Sequence, residues 1–285
     1  MTAAPGPASV DEALAAARSA GVDRLDAQLL LAQLLEKPRT WLLAHGEAKL
    51  APAQGSGFRS LLARRAAGEP LAYLLGHKEF HGLDLRIDAR VLVPRPETEL
   101  LVDWAIELLG DEAARAAPPC AVDLGTGSGA IALALKHARP RAHVLATDTS
   151  AAALAVAAAN ARRLGLDIEF HPGPWWAAVG AETFDLAVSN PPYIAGDDAH
   201  LAALRHEPLE ALSPGADGLK ALRLLVAGAG RHLRDGAWLL LEHGCDQASD
   251  VRGLFAQHGF DLAITRTDLA GLDRCTGARR SGRPP

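Results

Sequence analysis

Several things are scarce in this chain of 285 residues. It has three cysteines, Cys120, Cys245 and Cys275. Their number is odd and their spacing wide, which fits neither a disulfide framework nor a metal site, so they read as reduced packing residues. Excess positive charge is missing: 29 Lys and Arg face 34 Asp and Glu, a formal charge of −5. A long nucleic-acid footprint needs a basic face, and this balance argues against one. No apolar run approaches the roughly 20 residues that span a membrane. Residues 1–7 lack a basic stretch followed by an apolar one, so no signal peptide is expected. Aromatics are only 5% of the chain, so the core must be mostly Ala, Leu and Val. Together these absences point to a cytoplasmic protein, expected as a monomer, with no metal, no membrane and no direct nucleic-acid partner.

What is present begins with helical spacing. Residues 1–8 are small and Pro-rich and are expected to fray. Ser9-Val10-Asp11-Glu12 matches a capping box, with Ser9 as cap and Glu12 reaching back. Leu25, Leu29, Ala32 and Leu35 repeat at helical spacing until Pro38 stops them. Thr40 is placed to cap a short helix, another is expected over 52–66, and Pro70 suits the first turn of a last one ending before Gly76. This helical module, 1–75, carries no catalytic cluster. The period then changes. Phe80, Leu83, Leu85 and Ile87, followed by an Asp88-Ala89-Arg90 turn and Val91 to Val93, predict a β-hairpin linker over 76–94. Pro94-Arg95-Pro96 is stiff, and a helix is expected over 97–109 with Glu97 and Glu99 in its first turn.

From Cys120 onward strands and helices alternate. Strands are expected at 121–124, 144–147, 168–170, 184–189 and 237–241, with a helix over 218–233. An antiparallel pair at 262–266 and 275–279 would close the sheet. Alternation of this kind predicts a mostly parallel sheet covered on both faces. It forms a domain over 95–280, with a disordered tail over 281–285.

Two stretches in that domain carry chemistry. Gly125-Thr126-Gly127-Ser128-Gly129 follows the first strand and opens a helix, where glycines let a ligand approach the backbone. Gly125, Gly127 and Ala130 also satisfy the looser dinucleotide fingerprint, and Asp148 stands about twenty residues on, as the ribose-binding carboxylate of such folds does. NAD and S-adenosylmethionine both carry a ribose, so Asp148 does not choose between them. Trp175 and Trp176 follow the third strand, where an aromatic ring could cover an adenine.

The other stretch does choose. Asn190-Pro191-Pro192-Tyr193 follows the strand 184–189, and two prolines end any ladder. The residue types suit methylation of a planar, weakly basic NH2 group. Its lone pair is delocalised, and two acceptors that hold its N–H bonds would aim that lone pair at an electrophile. The Asn190 side-chain carbonyl is one acceptor and the Pro191 backbone carbonyl a second, with Tyr193 packed on the flat face of the substrate group. A dehydrogenase has no need of such a grip. His243, after the fifth strand, reads as packed or hydrogen-bonded.

Taken together the chain resembles the class I S-adenosylmethionine-dependent methyltransferases. Within them it resembles the HemK/PrmC family, the protein-(glutamine-N5) methyltransferases of peptide chain release factors. The residues that carry the resemblance run through most of the chain: Glu69-Pro70-Leu71-Ala72-Tyr73, Pro94-Arg95-Pro96-Glu97-Thr98-Glu99, Asp123 through Ala130, Ser189 through Ile194, Glu207-Pro208, Leu241-Glu242-His243-Gly244, and Asp268-Leu269-Ala270-Gly271. The resemblance implies a Rossmann-like, seven-stranded mostly parallel sheet with an N-terminal helical bundle and a β-hairpin linker. It implies that Gly125, Thr126, Gly127, Ser128, Gly129, Asp148, Trp175 and Asn190 bind S-adenosylmethionine. It implies that Asn190, Pro191, Pro192 and Tyr193 hold the glutamine of a Gly-Gly-Gln loop of class 1 release factors, with Asn190, Pro191 and Tyr193 catalytic. The helical module would recognise the substrate protein. The family commonly has an acidic residue where this chain has Pro174, so an adenine contact must come from elsewhere. Two other readings stay open here: an adenine-N6 methyltransferase of DNA or RNA, and a glutamine methyltransferase of a ribosomal protein.

Overall fold

The computed structural model describes residues 6–110 and 116–282. The expected tail therefore lies partly outside the described residues, at 283–285, while Ser281 Oγ donates to the Gly259 carbonyl at 2.6 Å. The chain divides into two compact units, residues 1–77 and 78–285.

The first unit is helical: α1 (Val10–Ser19), α2 (Arg24–Leu35), α3 (Arg39–Ala44), α4 (Pro52–Ala66) and α5 (Leu71–Leu75). Ser9 Oγ accepts from the Glu12 amide, and Glu12 Oε2 accepts from the Ala8 amide, one residue before the position a capping box uses. That bond, and the Leu50 amide donating to the Ala8 carbonyl, tie down a residue expected to fray. Pro38, not Thr40, stands at the start of α3. Val10, Leu30, Leu31, Leu42 and Phe58 are fully buried and form the centre of this unit's own core.

The second unit opens on a hairpin, β1 (His77–Phe80) and β2 (Leu83–Arg86). His81 and Gly82 both have positive φ, as a tight two-residue hairpin turn requires. Asp88 to Val91 is a turn but joins no strands, since Val91 to Val93 runs outside regular structure. A 3-10 turn at Pro96–Thr98 leads into α6 (Glu99–Leu109). The chain then alternates: β3 (Cys120–Leu124), α7 (Ala130–Ala138), β4 (His143–Asp148), α8 (Ala151–Leu164), β5 (Glu169–Pro172), β6 (Phe184–Ser189), α9 (Leu209–Leu212), α10 (Lys220–Ala229), β7 (Leu233–Glu242), α11 (Ala248–Gln257), β8 (Phe260–Thr267) and β9 (Asp273–Arg280).

Seven strands form one sheet in the order β5-β4-β3-β6-β7-β9-β8. The first five pair in parallel and the β7–β9–β8 edge is antiparallel. This is the class I S-adenosylmethionine methyltransferase fold. Pro172 is tolerated because β5 is an edge strand. The expected helix over 218–233 is shorter, because Leu233 already pairs with Phe184 and starts β7. Among the described residues, no helix is long and apolar enough to cross a membrane.

Candidate active site

In the sheet β3 lies beside β6, although β4 and β5 separate them in sequence. This is the point where strand order reverses, and crevices form there at the carboxyl ends of the strands. A cavity opens at that edge. Gly125, Gly127, Asp148, Trp175, Asn190 and Pro192 line it.

The glycine loop is held by backbone bonds. The Gly125 and Thr126 amides both donate to the Thr147 carbonyl, at 2.9 and 2.8 Å, so the end of β4 fixes the turn after β3. The Gly127 amide donates to Asp148 Oδ2 at 2.9 Å, and the Ser150 amide to Oδ1 at 2.8 Å. Asp148 is thereby aimed into the cavity. Burial raises its pKa, and Glu210, also on the cavity wall, adds to the rise. Gly125 is required twice over. Its φ is +81°, and a Cβ there would meet the Trp175 ring at 3.0 Å. Trp175 itself has φ +46°, a costly backbone position for a bulky residue. It turns its ring across the loop.

Trp176 does something else. It is buried, its Nε1 donates to the Leu225 carbonyl at 2.8 Å, and its ring stacks on His232 at 5.1 Å. Thr126 and Ser128 are also buried. Thr126 Oγ1 donates to Asp123 Oδ2 at 2.6 Å, so its side chain points behind the loop rather than into the cavity. Asp123 Oδ2 also accepts from the Ala132 amide, and its Oδ1 has no partner among the described residues. Burial pushes this carboxyl up to about 7. Gly129, at φ +86°, starts α7.

Past β6, Asn190 Nδ2 donates to the buried Thr98 hydroxyl at 3.0 Å. That bond fixes the amide plane, and among the described residues Asn190 Oδ1 accepts nothing. Pro191 is buried and Pro192 reaches the cavity wall. The Tyr193 hydroxyl donates to Glu242 Oε1 at 3.3 Å. Its carbonyl accepts from Gln247 Nε2 at 3.0 Å, so both ends of the residue are held. His243 is buried with both ring nitrogens bonded, Nδ1 to the Gly244 carbonyl and Nε2 to Thr276 Oγ1. Burial lowers its pKa, which suits a neutral structural histidine.

Three site residues had no assigned role in the sequence reading. Glu207 accepts from the Val93 amide at 3.0 Å and from Arg95 at 2.5 Å, which fixes the segment carrying the cavity residues Val91 and Leu92. Asn160, fully buried on α8, accepts from the Arg86 amide and donates to the Arg86 and Ser128 carbonyls, joining the hairpin to the glycine loop. Its signal was a lone amide amid alanines on a helix. Glu242 closes β7 behind Tyr193 and is 1% exposed. Among the described residues, no cluster of His, Cys, Asp or Glu could hold a metal ion.

The chain is similar to known proteins over nearly its whole length. The model of the PrmC N-terminal domain matches residues 10–76, and that of the methyltransferase small domain matches residues 100–215. The release factor glutamine methyltransferase of Xylella fastidiosa is 49% identical over 273 residues, covering 95% of this chain and 98% of that one. Those of Bordetella pertussis and Burkholderia pseudomallei are 48% and 46% identical, covering 90% and 99% of this chain and 95% and 99% of theirs. Among solved structures, the catalytic domain of hMettl16 in complex with MAT2A 3'UTR hairpin 1 superposes with TM-score 0.57 at 14% identity, covering 81% of this chain and 84% of that one. A methyltransferase from Pyrococcus furiosus superposes with TM-score 0.52 at 18% identity, covering 77% and 97%. At such identities the likeness is one of fold.

Proposed function

This chain belongs to the release factor glutamine methyltransferase family, and from that premise we propose how its site works. The enzyme methylates a release-factor glutamine at the expense of S-adenosylmethionine. We infer that the acceptor is the side-chain N5 of the Gly-Gly-Gln glutamine in class 1 release factors.

The cradle fits the cofactor. A side chain at Gly125 would fill it, and Asp148 stands at a strand end with its carboxylate aimed inward by two amides. Gly125, Gly127 and Asp148 would hold the ribose and amino-acid end, and Trp175 would cover the base. Gly129, Thr126 and Ser128 would shape the loop from behind. When bound, S-adenosylmethionine supplies an electrophilic sulfonium methyl group.

The chain's own part is to hold the glutamine amide. Asn190 Oδ1 and the Pro191 carbonyl accept its two N–H bonds. The lone pair then faces the cofactor side of the cavity rather than conjugating freely in solution. Pro191 and Pro192 keep the grip stiff, so little entropy is lost on binding. Tyr193 packs its ring against the flat amide. The proton leaves after nitrogen has been alkylated and is then acidic, so no dedicated base is needed. The observation that supports this reading is the Asn190–Thr98 bond, which engages Nδ2 and leaves Oδ1 free to accept. The helical unit recognises the substrate protein. Its removal should abolish methylation of the intact release factor while cofactor binding remains. The reaction belongs where termination takes place, in the cytoplasm.

The test is transfer of labelled methyl from S-adenosylmethionine, offered separately a class 1 release factor, a ribosomal protein and an adenine-containing duplex. Label on the release factor alone is the expected result. Label on the duplex, or only on the ribosomal protein, would overturn it.

A further inference from the structure

The turn between β8 and β9 is braced around a fully exposed leucine. Asp268 Oδ1 accepts from the Ala270 and Leu272 amides at 2.9 and 3.0 Å. The Asp268 amide donates to the Leu272 carbonyl, and the Gly271 amide to the Asp268 carbonyl, both at 2.9 Å. Arg274 Nε and Nη2 donate to Asp268 Oδ2 at 3.3 and 3.2 Å. Gly271, at φ +77°, takes a left-handed step in the turn. Leu269 is 110% exposed and Leu272 stays partly exposed. A single exposed leucine is ordinary. A leucine fixed in place before a partner arrives is a different matter, because it escapes the ordering cost of binding.

The place of this turn in the sheet decides which partner it meets. Glu242, the last residue of β7, pairs with Cys275, and Thr267, the last residue of β8, pairs with Asp273. Residues 268–272 therefore leave the sheet at the carboxyl end of β7, the edge that holds the clamp. Ser189, just before Asn190, pairs with Leu241 of β7. Neighbouring strands lie about 5 Å apart, so the turn stands roughly 10–15 Å from Asn190 across that edge. A protein that delivers a glutamine side chain to Asn190 covers this ground. A standard interface takes about 800 Å² from each partner, a disc of about 16 Å radius, and such a disc centred on the clamp includes the turn.

We propose that the β8–β9 turn docks the release factor, with Leu269 as an anchor that enters an apolar depression beside the loop carrying the acceptor glutamine. The occupant is the protein substrate and not a second copy of this chain. The substrate must lie over this edge in every turnover, and a second copy seated on the turn would obstruct it. This inference rests on the proposed grip of the glutamine by Asn190. The clamp holds an amide that any glutamine carries, whereas the anchor reads the surface around one glutamine. Affinity for the substrate protein therefore sits on the turn, and turnover on the clamp.

Leu269→Ser, Leu269→Met and the control Leu224→Ser, beside Asn190→Ala, test this in the full chain. Leu224 is an exposed leucine on α10, whose other face belongs to the core of the sheet. The measurements are release-factor Kd and cofactor Kd by calorimetry, with kcat and kcat/KM for methyl transfer. Leu269→Ser should weaken release-factor binding about tenfold, the scale of one leucine left unburied, and lower kcat/KM by the same factor. Its kcat at saturating release factor and its cofactor Kd should match wild type. Leu269→Met keeps an apolar side chain and should recover most of the affinity, and Leu224→Ser should lose none. An unchanged release-factor Kd in Leu269→Ser would overturn the proposal. So would an equal loss in Leu224→Ser, or a loss that falls on kcat or cofactor Kd instead. If Asn190→Ala methylates at the wild-type rate, the clamp reading itself is wrong; if it is impaired while Leu269→Ser binds normally, only the docking role fails.

Discussion

The two halves of the site are made of different material. The cofactor half, at the ends of β3 and β4, is built from backbone: amides of Gly125, Thr126 and Gly127, and a carboxylate, Asp148, oriented by amides of neighbouring residues. The clamp half, at the ends of β6 and β7, is built from side chains in two bonded pairs, Asn190 with Thr98 and Tyr193 with Glu242. Backbone geometry is set locally and tolerates changes of side chain, provided glycine stays where φ is positive. A side-chain network depends on every member, because one missing partner leaves another buried and unpaired. Damage to the first half should therefore appear in cofactor binding, and damage to the second in turnover.

The largest effect expected is at Asn190. Asn190→Ala should cut kcat by about a hundredfold or more, by analogy with losing an oxyanion-hole donor, while calorimetry shows the cofactor still bound. A proportionate loss of cofactor affinity would erase the contrast between the halves. The adjacent tryptophans sharpen it from the other side. Trp176→Ala should destabilise the fold by about 3–5 kcal/mol in denaturant titration, since it empties a buried site. Trp175→Ala should leave stability nearly intact and weaken the cofactor about tenfold, the scale of one lost base stack. Equal stability losses at the two positions would contradict the division.

The smallest effect is on stability against pH. Burial holds Asp123 and Glu242 near 7, above their ordinary values of 3.8 and 4.5. The folded chain then keeps protons that the unfolded chain has released. Their contribution to stability is present below the ordinary values and is lost as pH rises toward about 7. The melting temperature should show a component that falls over that window, and Asp123→Asn should flatten it. A slope unchanged in that variant would argue that Asp123 is ionised throughout.

The same difference in material explains what the sequence made readable. The glycine loop and Asp148 were legible because their geometry is local: positive φ demands glycine, and a strand end followed by Ser150 places the carboxylate. Asn-Pro-Pro-Tyr was legible as a chemical demand, two acceptors and a flat ring. The strand alternation also made the mostly parallel pairing legible, although not the strand order, and β7 begins at Leu233 inside a stretch that reads as helix. Thr98 and Glu242 were visible only as members of a family pattern. Their roles depend on β7 lying next to β6 and on the 3-10 turn before α6 passing beneath Asn190, which no local spacing records. The two tryptophans were indistinguishable in sequence. Only the turn from Gly173 into the positive φ of Trp175 sends one ring to the loop and the other to α10.

The most direct test is where the methyl group lands. Fragment mass spectrometry of a class 1 release factor after a single turnover, with wild-type enzyme and with Asn190→Ala at matched cofactor occupancy, would show it. The account predicts one methyl group on the side-chain nitrogen of the Gly-Gly-Gln glutamine, nearly absent with Asn190→Ala. A methyl group on a carboxylate oxygen, or on that same nitrogen at an undiminished rate in the variant, would contradict it.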